Sequence, residues 1–182
     1  MSGHGPHVEP NNKKVALLIA LLALVLAFSE TLGKSAQTAA LTHNIEASNL
    51  WSFFQAKTIR MTTLRTAAES METTPDLSDT AKAQVAKWKA AAARYDSEPE
   101  TREGRKELSA RALEQEAKRN RAMAAYHHYE FASALIQIAI VLSSAMIITG
   151  IAALGWGSVA LGVLGIVFSG IGFFAPTAVH LF

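Results

Sequence analysis

Apolar and polar positions are sorted along this chain rather than interleaved. Three long apolar runs, residues 15–32, 131–149 and 158–175, contain a single charged residue, Glu30. A soluble domain mixes charge into its apolar stretches, whereas a bilayer protein separates the two. An α-helix rises ~1.5 Å per residue, and the hydrocarbon core takes about 20 residues to cross. Runs 131–149 and 158–175 meet that requirement with no charge at all. The first run is clean only over 15–28, which is also about the length of a signal-peptide core. No small-x-small cleavage site stands directly after it, where Ser29-Glu30-Thr31 follows, and this favours a retained span extending to Gly33 over a cleaved signal. Glu30 then leans outward or pairs with Lys34 one turn on.

Between the first and second runs the pattern changes period. No proline occurs from Val15 to Thr74, and Gly33 is the only glycine there, so the first span is predicted to continue as one helix. A single frame runs through it: Ala36, Ala40, His43, Ala47, Leu50, Phe54, Lys57, Met61, Leu64, Ala68 and Met71. The steps alternate four and three, as in a coiled-coil seam. Thr73-Thr74-Pro75 breaks this helix, and Asp76 or Ser78 can cap the next. Ala81, Val85, Trp88, Ala92 and Tyr95 keep the same rhythm until Ser97-Glu98-Pro99. A third helix after Gly104 is predicted to run through Leu108 and Leu113 into the second span.

The organisation read from this is an all-α membrane protein: three transmembrane helices, with a helical, coiled-coil-like hairpin outside the membrane between the first and second. The predicted segments are a disordered polar leader (1–14), a span (15–33), an insert (34–130), two further spans (131–149 and 158–175) joined by a short turn (150–157), and a tail (176–182). Within the insert the helices are 34–72, 76–97 and 104–130. Because the insert leaves and re-enters the membrane on one side, the expected packing is antiparallel, with the middle helix as a slanted cap.

Two patterns suggest packing surfaces. Ser158, Gly162, Gly165, Ser169 and Gly172 recur at spacings of 4, 3, 4 and 3, which puts five small residues along one side of the third span. In lipid, helices associate by close backbone approach, so this stripe reads as a seam against the second span or a second copy, beside the plain glycine enrichment of membrane helices. Trp51, Phe53 and Phe54 point to different sides of the first helix, more than one neighbour covers. They suggest a homo-oligomer or a larger membrane complex. Glu30 and Gln137 are the strongly polar groups within the spans, both near the insert-side boundary. Polar groups in a membrane often mark ion paths; at this shallow depth a Glu30–Lys34 pair and a helix-bridging Gln137 is the structural alternative.

Charge adds orientation. The net charge is +2, with acids and bases mixed in the insert, so no nucleic-acid footprint is expected. Lys13 and Lys14 precede the first span, while Glu30, Lys34 and Glu46 follow it, which favours a cytoplasmic amino terminus and a periplasmic insert. Lys118, Arg119 and Arg121 ahead of the second span pull the other way, although long loops translocate largely regardless of charge. The chain has no cysteine, which excludes disulfides, iron–sulfur clusters and thiol catalysis.

The stretch Glu46-Ala47-Ser48-Asn49-Leu50-Trp51-Ser52-Phe53-Phe54-Gln55-Ala56-Lys57, after an apolar amino-terminal helix, resembles a bacterial family of membrane proteins, domain of unknown function 4337. The resemblance runs from Lys13 to the carboxyl end, with Asn49, Trp51, Gln55 and Lys57 its most specific part. It implies a multi-pass protein of the bacterial inner membrane. It carries no catalytic residues and no cofactor.

Candidate chemistry is sparse. His43-Asn44-Ile45-Glu46 and His127-His128-Tyr129-Glu130 both read His-x-x-Glu, which puts one nitrogen and one oxygen on a shared helix face. Together His43, Glu46, His127 and Glu130 could form a metal site of the kind seen in helical bundles. The alternative is an interfacial belt of Tyr126, His127, His128 and Tyr129 at the headgroups. His4 and His7 lie in the leader and His180 in the tail. No phosphate loop, dinucleotide fingerprint, nucleophile elbow or His-Glu-x-x-His motif is present, so no enzyme is expected. The functional expectation is a non-enzymatic, self-associating or accessory membrane subunit, with an oligomeric channel or transporter and a metal-binding sensor as alternatives.

Overall fold

A computed structural model describes residues 10–179. Among these the chain is all α, with four helices: α1 Pro10–Glu72, α2 Asp79–Asp96, α3 Arg105–Thr149 and α4 Ala152–Phe174. Three of them, α1, α3 and α4, contain segments long and apolar enough to cross a membrane. Helix α1 starts at Pro10, inside what the polarity pattern reads as leader. Proline suits that place, because a first-turn N–H has no intrahelical partner to lose. His4, His7 and His180 lie outside the described residues, as does most of the leader.

The breaks between helices have local causes. Beyond α1 the chain turns through Asp76 at φ 51°. Ser78 then caps α2, its hydroxyl accepting from the Ala81 N–H at 3.2 Å. After α2, Gly104 occupies a site where a Cβ would fall on the Glu98 backbone nitrogen and 2.7 Å from Ser97 Cα, so a side chain is excluded by main chain. The turn between α3 and α4 is shorter than the glycine content suggests. Gly150, at φ +71°, ends α3 with its N–H on Met146 O at 2.9 Å. Helix α4 then begins at Ala152 rather than 158, so Gly155, Trp156 and Gly157 are helical. Once the single left-handed residue has been passed, backbone hydrogen bonding outweighs the glycine propensity cost.

The described chain forms two compact units, one from the segments up to Ala40 and from Asn120 onward, the other Leu41–Arg119. In the first, α4 packs its small-residue side on α1 and α3. Leu22, Ile136 and Ala139 form the core, with Leu18, Val25, Leu26, Ile140 and Leu161 against it. A Cβ at Gly162 would come within 2.7 Å of Leu22, and one at Gly165 within 2.5 Å of Ile136 and 3.1 Å of Ala132 O. Ser169 bonds Ser29 at 2.7 Å, while Ser158 bonds Ser143 at 2.6 Å and donates to Ala139 O at 2.7 Å. The outward side carries Leu17, Leu21, Phe28, Val141, Ile148, Val163 and Phe174, all exposed. Around a leucine–isoleucine core the unit thus buries glycines and paired serines, and it turns large apolar side chains outward.

The second unit also has an apolar core but carries ion pairs on its outside. All positions of the α1 frame that fall in it, from His43 to Met71, are buried or half-buried, as are the five frame positions of α2. Leu50, Leu108 and Ala112 form its core, flanked by Trp51 and Phe54. On α3 Leu108 and Ala112 pack against Leu50 of α1, while Leu113 is exposed. His43, Asn44 and Trp51 of α1 meet Gln115, Arg119 and Glu116 of α3, whereas Thr58, farther along α1, meets Arg105 at the start of α3. Helix α2 joins through Lys89–Glu72 at 2.6 Å and Arg105–Asp96 at 3.2 Å.

Candidate functional site

Within the first unit an open groove of about 410 Å³ lies between α1 and α3. Its lining includes Glu30, Lys34, Gln37, Tyr126, Glu130 and Gln137, over a floor with Gly33 and Tyr129. The groove exists because two features coincide. Gly33 lets α1 approach Tyr129 so closely that a Cβ there would be 3.3 Å from Tyr129 Cβ. On either side of that contact, α1 and α3 present polar residues one turn apart.

The polar atoms are partly engaged. Gln137 Nε2 donates to Glu30 Oε1 at 3.2 Å, so the two polar residues of the spans meet directly. The expected Glu30–Lys34 pair is not formed: no ion pair joins them among the described residues, and Glu30 is instead held by the amide across the groove. Tyr126 Oη donates to Glu130 Oε1 at 3.3 Å, and His127 Nδ1 stands 3.8 Å from Glu130 Oε2. Desolvation, with the Glu130 carboxylate adding to it, pushes the Tyr126 phenol above its ordinary value, so it remains a donor.

The two His-x-x-Glu motifs are each formed locally. His43 Nδ1 is 3.9 Å from Glu46 Oε2 and closer, 2.8 Å, to Gln115 Oε1. His43 and Glu46 belong to the second unit, His127 and Glu130 to the first. Among the described residues no group of three or more His, Cys, Asp or Glu side chains is gathered to hold a metal.

The aromatic trio divides. Trp51 donates Nε1–H to Glu116 at 2.8 Å and meets Phe54 edge-on, with ring centroids 5.4 Å apart. The Arg105 guanidinium lies 4.9 Å over the Phe54 ring, a cation–π contact. Phe53 turns outward and is 60% exposed.

Two features escaped the sequence reading. His128 is the buried histidine of its tract: Nε2 is 3.1 Å from Pro176 O and 3.2 Å from Val179 O, fastening the segment after α4 to α3. Its ring stacks on Phe168. Nothing in the spacing separates it from His127, because the choice depends on which side of α3 meets α4. The other feature is a face of α1 away from its frame, made of Leu41, Ile45, Ser48, Ser52, Ala56, Ile59, Thr63, Thr66 and Ser70. Every one is exposed and none is charged. Its signal was available as a second four-three rhythm lacking charge.

These observations define an all-α protein with three helices of membrane-spanning length and composition. The chain matches the family described as Domain of unknown function (DUF4337) over residues 11–175, and it belongs to that family. No curated protein and no solved structure matches it.

Proposed function

We propose that this is a non-enzymatic, multi-pass protein of the bacterial inner membrane that self-associates through its extramembrane helices. In this reading α1, α3 and α4 cross the bilayer once each, Lys13 and Lys14 hold the amino terminus in the cytoplasm, and residues 34–130 stand outside as a helical hairpin. The pairing of Asn44 with Arg119 and of Thr58 with Arg105 supports the antiparallel hairpin. The outward apolar residues of the first unit support lipid as its surroundings, because water does not tolerate so continuous an apolar surface.

The observation that carries self-association is the uncharged outer face of α1. Leu41 is 60%, Ile45 52% and Ile59 67% exposed, in a segment whose other sides bear the ion pairs that keep a helix soluble. Small residues between them, Ser48, Ser52 and Ala56, let a second helix approach closely. Neighbouring copies in one bilayer share an orientation, so this face meets its own counterpart in parallel, and equivalent residues come together.

The chain's lack of cysteine makes the test direct. Ile45→Cys and Ile59→Cys, introduced singly, are expected to give disulfide-linked dimers in native membranes under mild oxidation. Lys87→Cys on α2 is expected to give none. A dimer from Lys87→Cys alone, or native mass measurements showing one chain per particle, would refute self-association by this face. A crosslink to a foreign chain would replace it with an accessory role.

A further inference from the structure

We infer that the groove between α1 and α3 binds the headgroup of a phospholipid that carries a phosphate and a primary ammonium, as phosphatidylethanolamine does. The inference rests on the reading that the apolar helices span a bilayer, since only then is the groove at headgroup depth.

Its size suits a small ligand: about 410 Å³ is within the range of small-molecule sites. Its charges select the ligand. Glu30 and Glu130 contribute two carboxylates and Lys34 one ammonium, so the lining is net negative and favours a ligand with a cationic end. Glu30 accepts one hydrogen bond, from Gln137. An ionised carboxylate has about four acceptor positions, and a primary ammonium brings three donors. A quaternary ammonium brings none, and a purely anionic headgroup would face both carboxylates. Lys34 makes no ion pair among the described residues, which leaves its ammonium for the phosphate.

The same turns commit the occupant to a lipid rather than a free phosphoamine. Val141, one turn beyond Gln137 on the same side of α3, is 65% exposed, and Ala27, one turn before Glu30 on α1, is exposed as well. A ligand filling the groove therefore meets polar groups at its head and apolar side chains alongside, as an amphiphile does. A carboxylate at the edge of the hydrocarbon is costly when unpaired, and an ammonium in the groove removes that cost.

Full-length protein in mild detergent would be offered phosphatidylethanolamine, phosphatidylcholine and phosphatidylglycerol with identical acyl chains, and lipid retention read by native mass spectrometry. We expect phosphatidylethanolamine to be retained about tenfold more strongly than the other two, as charge-assisted hydrogen bonds imply. The Glu30→Gln/Glu130→Gln variant is expected to lose that preference. Lys34→Gln, an exposed change, is expected to weaken all three lipids while keeping their order. Equal retention by the wild type, or an unchanged preference in the double variant, overturns the site. Carbonate extraction of native membranes separates this failure from that of the spanning reading: protein that stays in the membrane without a headgroup preference refutes the groove alone, whereas release into the supernatant refutes the spans and the groove with them.

Discussion

The two units use one helical chain in opposite senses. Up to Ala40 and from Asn120 on, Ser29, Ser143, Ser158 and His128 are buried beside Leu22 and Ile136, while many leucines, isoleucines and phenylalanines face out. From Leu41 to Arg119 the core is Leu50, Met61, Val85 and Leu108, and the outside carries ion pairs such as Lys118–Glu114 and Lys82–Asp79. The helices α1 and α3 belong to both units without a break. Helix geometry is therefore indifferent to the change, and the side chains alone mark where it occurs. Burial of apolar area drives packing where the outside is water. Where the outside is apolar, that drive disappears, and close backbone contact with hydroxyl pairs takes over.

Substitutions can break this contrast. The largest effect is expected from Leu108→Ala, which empties a site 4% exposed in the second unit. A loss of about 2–4 kcal/mol follows from transfer and cavity terms together, read as a lower chemical-denaturation midpoint of the helices around it. Gly165→Leu tests the first unit by the reverse operation. Its Cβ alone would crowd Ile136 and the Ala132 carbonyl at 3.1 Å, and the carbonyl is fixed in its helix. Overpacking of this kind costs about 1–3 kcal/mol, read as a lower thermal midpoint in detergent. If Gly165→Leu is harmless, the small-residue seam is not a packing constraint.

The smallest effect concerns acid. Glu107 Oε1 accepts from Ser97 Oγ at 2.6 Å and Oε2 from the Glu98 N–H at 3.2 Å, joining the end of α2 to the start of α3. The Ser97 hydroxyl, foremost, holds its carboxyl below the ordinary value despite desolvation. A depressed folded-state value means that this contribution is complete above the unfolded carboxylate's pKa and fades as pH falls through the folded one. Glu107→Gln is therefore expected to lower stability at neutral pH and to flatten the decline on acidification. Parallel pH profiles for wild type and variant would remove Glu107 from that role.

Helix boundaries and the inward frame of α1 were legible because both are local. A four-three rhythm over eleven positions, a proline after Thr74 and a capping Ser78 each act within a turn or two. The 150–157 turn was read less well: one left-handed residue, Gly150, ends α3 where three glycines suggested a longer break. In the groove, Glu30 and Gln137 were singled out as polar residues in apolar runs. Their hydrogen bond, between residues 107 positions apart, and the arrival of Tyr126 and Glu130 beside Lys34 depend on the register of α1 against α3.

By itself the sequence determined that the chain is helical, where the two breaks of the insert fall, and which three stretches have the length and composition to cross a membrane. These follow from hydrogen bonds and side-chain periodicity inside single segments. Only the tertiary structure decided that Glu30 bonds Gln137 rather than Lys34, that His128 rather than His127 is buried, and that α3 covers Trp51 and Phe54 but not Phe53. Each of these turns on the rotation of one helix against another, which is set by how glycines, serines and leucines from distant segments fit together.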